Sequence, residues 1–313
     1  MLHYHAFGLK LESDVALPEL HGGSGPADVI IRLARSAGAR PVVPARLEGS
    51  GGQITLYLED MSFTVTGGRA IDIVAPRGRN ENDIRLWLLG SVMAVLLHQR
   101  GLFSLHANVV ALPEGGVAAF GGPSGVGKST LAALLDRRGF AVLGDDLCAV
   151  RIDGAGGPMV FAGIPRLKLW SDTLALLGRS SAGLEPVASD LAKYHVPLEW
   201  ASEAGVLTPV PLRRIYMLGA ATRDDEDLIT RLRGTAAAAA VLDNGFRWGV
   251  GQAVAGAGSN AQFDQAMTIA REVAVFRVAR RWGADQLLGE VAVVAAHLSS
   301  ALMNNEAAST GGS

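Results

Sequence analysis

Gly122-Pro123-Ser124-Gly125-Val126-Gly127-Lys128-Ser129 is the stretch on which the reading of this chain turns. It fits the pattern G-x-x-x-x-G-K-[ST]. Gly122, Gly125 and Gly127 permit a tight loop whose backbone N–H groups turn inward, and the positive end of a following helix adds to their pull on phosphate oxygens. Lys128 supplies a mobile point charge for the β- and γ-phosphates, and the hydroxyl of Ser129 is a ligand for Mg²⁺. The expected cradle runs through Gly122, Pro123, Ser124, Gly125, Val126, Gly127, Lys128, Ser129 and Thr130. Glycine is abundant, 39 of 313 residues, so chance matches need weighing. The chain's own composition gives about 0.006 chance matches to this pattern. Lysine is scarce: Lys10, Lys128, Lys168 and Lys193 are the only lysines among 28 basic residues.

Working outward, an apolar strand, Val117–Gly121, enters the loop, and a helix, Lys128–Arg138, leaves it and stops at Gly139. Upstream, Leu105–Leu112 reads as a strand joined to Val117–Gly121 by Pro113-Glu114-Gly115-Gly116. So short a connection makes an antiparallel hairpin, which argues against a wholly parallel sheet. His106 opens that hairpin, and its nearness to the loop depends on a register that spacing does not fix. Downstream, Phe140–Gly144 reads as a strand ending at Asp145-Asp146, seventeen residues after Lys128. Two adjacent carboxylates resist joint ionisation unless a cation is near. Beside a phosphate loop, one suits a metal and the other suits taking a proton from an attacking hydroxyl.

The stretch from Leu105 to Val150 resembles the HPr kinase/phosphorylase family of bacterial protein serine kinases. That family similarly carries a strand-borne His, a hairpin, a G-x-S-G-x-G-K-S loop, a helix ending in Arg-Gly and an Asp-Asp. His106, the loop 122–129, Arg138-Gly139 and Asp145-Asp146 fall on those positions. The resemblance implies that Asp145 is the base acting on a substrate serine, that Asp146 with Ser129 supports Mg²⁺, and that His106 assists Lys128 at the γ-phosphate. It implies a mixed α/β fold, with a P-loop kinase core and mixed sheet related to the HPr kinase C-terminal domain and to phosphoenolpyruvate carboxykinases. ATP and Mg²⁺ are the implied cofactors, and a small protein or peptide bearing a serine is the implied partner. The related kinases form hexamers, which makes a homo-oligomer an expectation. The family's Glu after the loop serine is Thr130 here, and its E-I-R-G-L-G segment has no counterpart. The chain as a whole is similar to HPr-kinase-like proteins outside sugar regulation, including kinases of lasso-peptide precursors.

Residues 1–79 read as a β-rich N-terminal domain, with Gln53–Val74 as a meander turning at Glu59-Asp60 and Gly67-Gly68. A helix capped by Asn80 or Asn82 opens the segment 80–303, taken as the kinase domain, and 304–313 reads as a disordered tail. The N-terminal domain carries no chemistry-bearing cluster, so substrate recognition is its expected task. Arg166, Lys168 and Lys193 are candidates for transition-state or acceptor contacts, because a developing phosphoryl group spreads charge over three oxygens. Arg214 and Arg247 are fainter ones. Trp170, Trp200, Trp248 and Trp282 read as core or interface.

Composition narrows the classes. Hydrophobic residues are 49% of the chain, enough for a buried core. A net charge of −2 leaves no bulk field for nucleic acid or an anionic membrane. Cys148, the lone cysteine, excludes an internal disulfide framework. The N-terminus lacks the pattern of a secretory signal, and the longest apolar run, Leu86–Leu97, is short for a bilayer, so a cytoplasmic protein is expected. A small-molecule kinase, a hydrolytic ATPase and a nucleotide-sensing module stand as competing functions for the same loop.

Overall fold

The computed structural model describes residues 1–37, 42–50, 52–152, 156–188, 191–198, 207–223, 225–246, 260–281 and 284–300. Trp200, Arg247, Trp248, Trp282 and the tail 304–313 lie outside these. Strands β1 (Leu2–Ala6), β2 (Leu9–Ser13), β3 (His21–Gly22), β4 (Val29–Ser36), β5 (Val43–Ser50), β6 (Gln53–Glu59), β7 (Met61–Thr66) and β8 (Ala70–Pro76) form an eight-stranded mixed sheet, ordered β3-β1-β2-β4-β8-β7-β6-β5. The expected meander is β6-β7-β8, with Leu58 opposite Met61 and Thr66 opposite Ala70. Period-2 alternation explains it: Ile54, Leu56 and Leu58 point inward from β6.

The following helix begins where the sequence places it. The Asn80 side chain accepts from the N–H of Asn82 at 2.9 Å. It comprises α1 (Glu81–Trp87), a π-helical segment (Leu88–Val92) and α2 (Met93–Gln99). Its buried face, from Ile84 to Leu97, joins the core of the N-terminal sheet, together with Leu147, Ala149 and Ile164. The two halves of the chain therefore share one apolar layer, and Phe7 N–H also donates to Ala162 O at 3.1 Å.

The second, nine-stranded mixed sheet is built from β9 (Phe103–Leu105), β10 (Ala107–Ala111), β11 (Val117–Gly121), β12 (Val142–Gly144), β13 (Cys148–Arg151), β14 (Met159–Phe161), β17 (Val210–Ala220), β18 (Ile229–Leu232) and β19 (Ala274–Arg280). β10 and β11 form the expected hairpin, with Ala111 opposite Val117, while β11 and β19 both run parallel to β17. The expected single strand Leu105–Leu112 is two strands. β9 pairs with β13, β10 pairs with β11 and β12, and His106 stands at the break.

Along β11, Val117 and Ala119 enter one core while Ala118 and Phe120 enter the other, as expected of a sheet buried on both faces. α3 (Lys128–Asp136) and α7 (Ala284–Ser299) cover one face, and α5 (Gly234–Asp243) and α6 (Ala261–Glu272) cover the other. A separate two-stranded ribbon, β15 (Arg166–Trp170) with β16 (Lys193–Pro197), is followed within its loop by α4 (Ser171–Leu176) and packs its apolar side on α3. Among the described residues no helix is long and apolar enough to cross a membrane.

Candidate active site

The glycine-rich loop 122–127 connects β11 to α3. Gly122, Gly125 and Gly127 have φ of +138°, +83° and +81°, a region that L side chains avoid. At Gly122 space is also closed: a Cβ would lie 2.5 Å from the carbonyl oxygen of Leu218 on the parallel neighbour β17. Lys128 spans the loop from within, donating to Gly122 O at 2.7 Å and Pro123 O at 3.1 Å. Burial lowers its pKa, while Asp146 and Asp145 act to raise it.

Two residues outside the motif complete the loop. Asn244, just after α5, accepts from Gly122 N–H. Arg280, at the end of β19 and 5% exposed, donates to Val126 O at 3.0 Å and pairs with Glu290 at 3.2 Å. A buried cation bound to a loop carbonyl fixes the loop backbone.

The two aspartates diverge because of the turn between them. Leu147 N–H donates to Asp145 O at 2.8 Å, and Asp146 has φ +70°. This is a three-residue turn in the strained left-handed region, which Asp tolerates better than most residues. Asp145, 3% exposed, turns inward: it accepts from Ser129 Oγ at 3.0 Å and from Lys168 N–H at 2.7 Å. Asp146 turns outward, pairing with Lys168 Nζ at 2.6 Å and lying 3.3 Å from His106 Nε2. Burial and the neighbouring Asp146 charge raise the pKa of Asp145, against Lys168. For Asp146 burial also acts upward, but the Lys168 ammonium and the His106 contact outweigh it and hold the carboxyl well below the usual range.

The cleft above the loop has a volume of about 200 Å³. Asp146, His106, Lys168 and Lys193 border it opposite Lys128 and Ser129. The register opposes Ala107 to Gly121, which sets His106 beside the start of the loop. Its ring also meets Phe246 edge-on at 5.5 Å. Thr130 shares a hydrogen bond with Thr173 of α4 at 3.0 Å. Among the described residues no three His, Cys, Asp or Glu side chains form a metal cluster. The oxygen donors Ser129, Asp145 and Asp146 nonetheless suit a hard cation that shares its shell with phosphate and water.

Of the remaining candidates, two lie away from this cleft and one lies on it. Arg166, 4% exposed, does not border this cleft: its guanidinium is bound to Glu19 at 2.9 Å. Arg214 is a structural clamp, bonded to Glu114 of the hairpin turn and to the carbonyls of His297 and Ser300 at the end of α7. Trp170 is not core; it is 45% exposed at the cleft, with Lys193 Nζ 5.5 Å from its ring centre. Asn244, Arg280 and Glu19 carry no local motif, and sequence reasoning missed them.

No protein-family model matches the chain, and no curated protein matches it. Among solved structures the chain is similar to the HPr(Ser) kinase/phosphatase from Coxiella burnetii at 13% identity, with a TM-score of 0.32. The match covers 62% of this chain and 96% of that chain.

Proposed function

We propose that this chain is an ATP-dependent phosphotransferase acting on a hydroxyl, with a serine of a small protein or peptide as acceptor. One observation carries the reading: a phosphate loop closed on Lys128 faces two carboxylates that a strained turn points in different directions. The sequence resemblance over Leu105–Val150 agrees with it.

The geometry favours exchanging the roles that the resemblance gives the aspartates. Asp145 is held on Ser129 and is closed off from the cleft, so it belongs with Ser129 on the metal side. Asp146 is the carboxylate that an acceptor can meet. In the transfer, the acceptor oxygen forms a bond to the γ-phosphorus as its proton passes to an Asp146 carboxylate oxygen. The bond between the γ-phosphorus and the β–γ bridging oxygen breaks, and ADP leaves with that electron pair. The low pKa of Asp146 keeps it ionised at neutral pH, so it orients the hydroxyl throughout and takes the proton late. Lys128, Lys168 and Lys193 offset the charge of the transferring group. Mg²⁺, held on the Ser129 and Asp145 side, would neutralise phosphate charge.

The test is transfer of label from ATP carrying a radioactive γ-phosphate. Acid-stable label on serine peptides supports the reading. Label appearing only as free phosphate, at a rate that acceptors do not change, identifies a hydrolytic ATPase. Tight nucleotide binding with neither outcome identifies a sensor.

A further inference from the structure

A second cavity, of about 370 Å³, lies where the N-terminal domain meets the β15–β16 ribbon. It is lined by the turn Pro18-Glu19-Leu20 and by Arg166, Glu185 and His195. We propose that this cavity is the acceptor subsite, and that it holds an amide group of a peptide chain between the free acceptor Glu19 Oε2 and the free donor Arg166 Nε–H. The proposal rests on the phosphotransferase reading above and adds to it where, and by what chemistry, the acceptor is held.

The first support is polar atoms left unmatched. The Glu19 and Arg166 side chains are each 5% exposed. Glu19 Oε1 takes two guanidinium donors, Arg85 Nε at 2.8 Å and Arg166 Nη1 at 2.9 Å. Glu19 Oε2, Arg166 Nε and His195 Nδ1 are buried and have no hydrogen-bond partner. Arg166 Nη1 lies 3.3 Å from His195 Nε2, and a guanidinium can only donate, so that ring nitrogen accepts and Nδ1 carries the proton. Three residues that line the cavity therefore hold one buried acceptor and two buried donors without a partner. Buried polar groups are normally paired, and unpaired ones ask for a ligand or ordered water.

The second support is charge. Arg85 and Arg166 are matched by Glu19 and Glu185, the latter 2.6 Å from Arg85. Burial and the surrounding cations lower the His195 pKa to about 3, so it adds no charge near neutrality. A site balanced in this way gives little to a phosphate or carboxylate, whose desolvation would go uncompensated. A neutral group that carries one donor and one acceptor fits it, and the peptide amide is that group. The nucleotide cleft differs, with three lysines on its walls.

The third support is placement. In the ribbon Trp170 faces Lys193, Lys168 faces His195 and Arg166 faces Pro197. Positions two apart share a face, so one face runs from the nucleotide cleft at Trp170, through Lys168, to Arg166 in the second cavity. At about 3.3 Å per residue, Arg166 is about 7 Å from Lys168 along the strand. Lys168 in turn holds Asp146. An extended peptide advances about 3.5 Å per residue. An amide seated at Glu19 and Arg166 thus leaves a serine one or two residues away in reach of Asp146.

The experiment uses the full chain and N-acetyl-glycyl-seryl-glycine amide as a neutral probe, with inorganic phosphate and N-acetylglycine as anionic ones. Saturation-transfer NMR reads binding without requiring turnover. The proposal predicts that the neutral tripeptide binds the wild type, and that Arg166→Lys and His195→Leu each weaken it about tenfold, the effect of one lost hydrogen bond. MgATP affinity should stay within about twofold. His195→Leu keeps the Glu19 ion pairs, so it serves if Arg166→Lys does not fold. Absence of tripeptide binding, binding indifferent to the variants, or stronger competition by the anions overturns the proposal. Sensitive binding without any label transfer upholds the cavity and rejects the phosphotransferase reading, whereas transfer whose acceptor KM ignores both variants does the reverse.

Discussion

Replacing Lys168 by methionine removes the ammonium that lies 2.6 Å from Asp146 and leaves a side chain of similar length. Two unit charges 4 Å apart interact by about 4 kcal/mol at an effective dielectric of 20. Asp146 is 35% exposed, and solvent screening there reduces the pair to about 1–2 kcal/mol. That equals about one pKa unit. The sign follows from the direction of the shift. Asp146 is held below its ordinary value, so its ionised form stabilises the fold above about pH 4, and that contribution disappears as pH falls through the depressed value. The variant should lose about 1–2 kcal/mol at pH 7.5 by urea unfolding, and the deficit should begin to close below about pH 4. Carbon-13 NMR of labelled aspartates should show one carboxyl titrating about one unit higher. Equal urea midpoints at pH 7.5 together with unchanged carboxyl titration would refute the placement of Lys168 on Asp146.

Other perturbations have equally definite outcomes. Lys128→Ala removes a charged donor from the loop and should weaken MgATP binding about ten- to a hundredfold by calorimetry; unchanged affinity would reject the phosphate site. Gly122→Ala puts a Cβ 2.5 Å from Leu218 O at φ +138°, so thermal melts should show a loss of about 1–3 kcal/mol. His98, packed where α2 ends, has its pKa lowered to about 4 by burial, so the unfolded chain binds a proton that the folded one refuses between about pH 6.5 and 4. Stability therefore falls as pH drops through that window. His98→Gln should lose about 2 kcal/mol less than the wild type between pH 7 and 4.5 in urea titrations.

What the sequence makes legible is what neighbouring residues decide. The loop, its flanking strand and helix, the hairpin through Pro113-Glu114-Gly115-Gly116 and the Asn80 cap depend on contacts a few residues apart. The break at His106 is hidden because Leu105–Leu112 is mostly apolar and holds no Gly or Pro; only the differing partners of β9 and β10 divide it. β5 was missed because its composition, with Pro44, Arg46 and Glu48, suits an edge strand rather than an alternating one. The supports of the site were illegible for a different reason. Asn244 meets Gly122 across 122 residues, Glu19 meets Arg166 across 147 and Arg280 meets Val126 across 154. The choice between the aspartates rests on the sign of one dihedral, which the dipeptide Asp145-Asp146 leaves open.

The most direct trial of phosphoryl transfer at this cleft compares Asp146→Asn with Asp145→Asn, following γ-label from ATP into acid-stable phosphoserine on a serine-peptide mixture while measuring MgATP affinity separately. With Asp146 as the proton acceptor and Asp145 on the metal side, Asp146→Asn keeps MgATP affinity within about threefold and loses transfer by about a hundredfold or more, while Asp145→Asn loses metal-dependent nucleotide binding as well. Full transfer by Asp146→Asn, with normal MgATP affinity, would contradict that assignment.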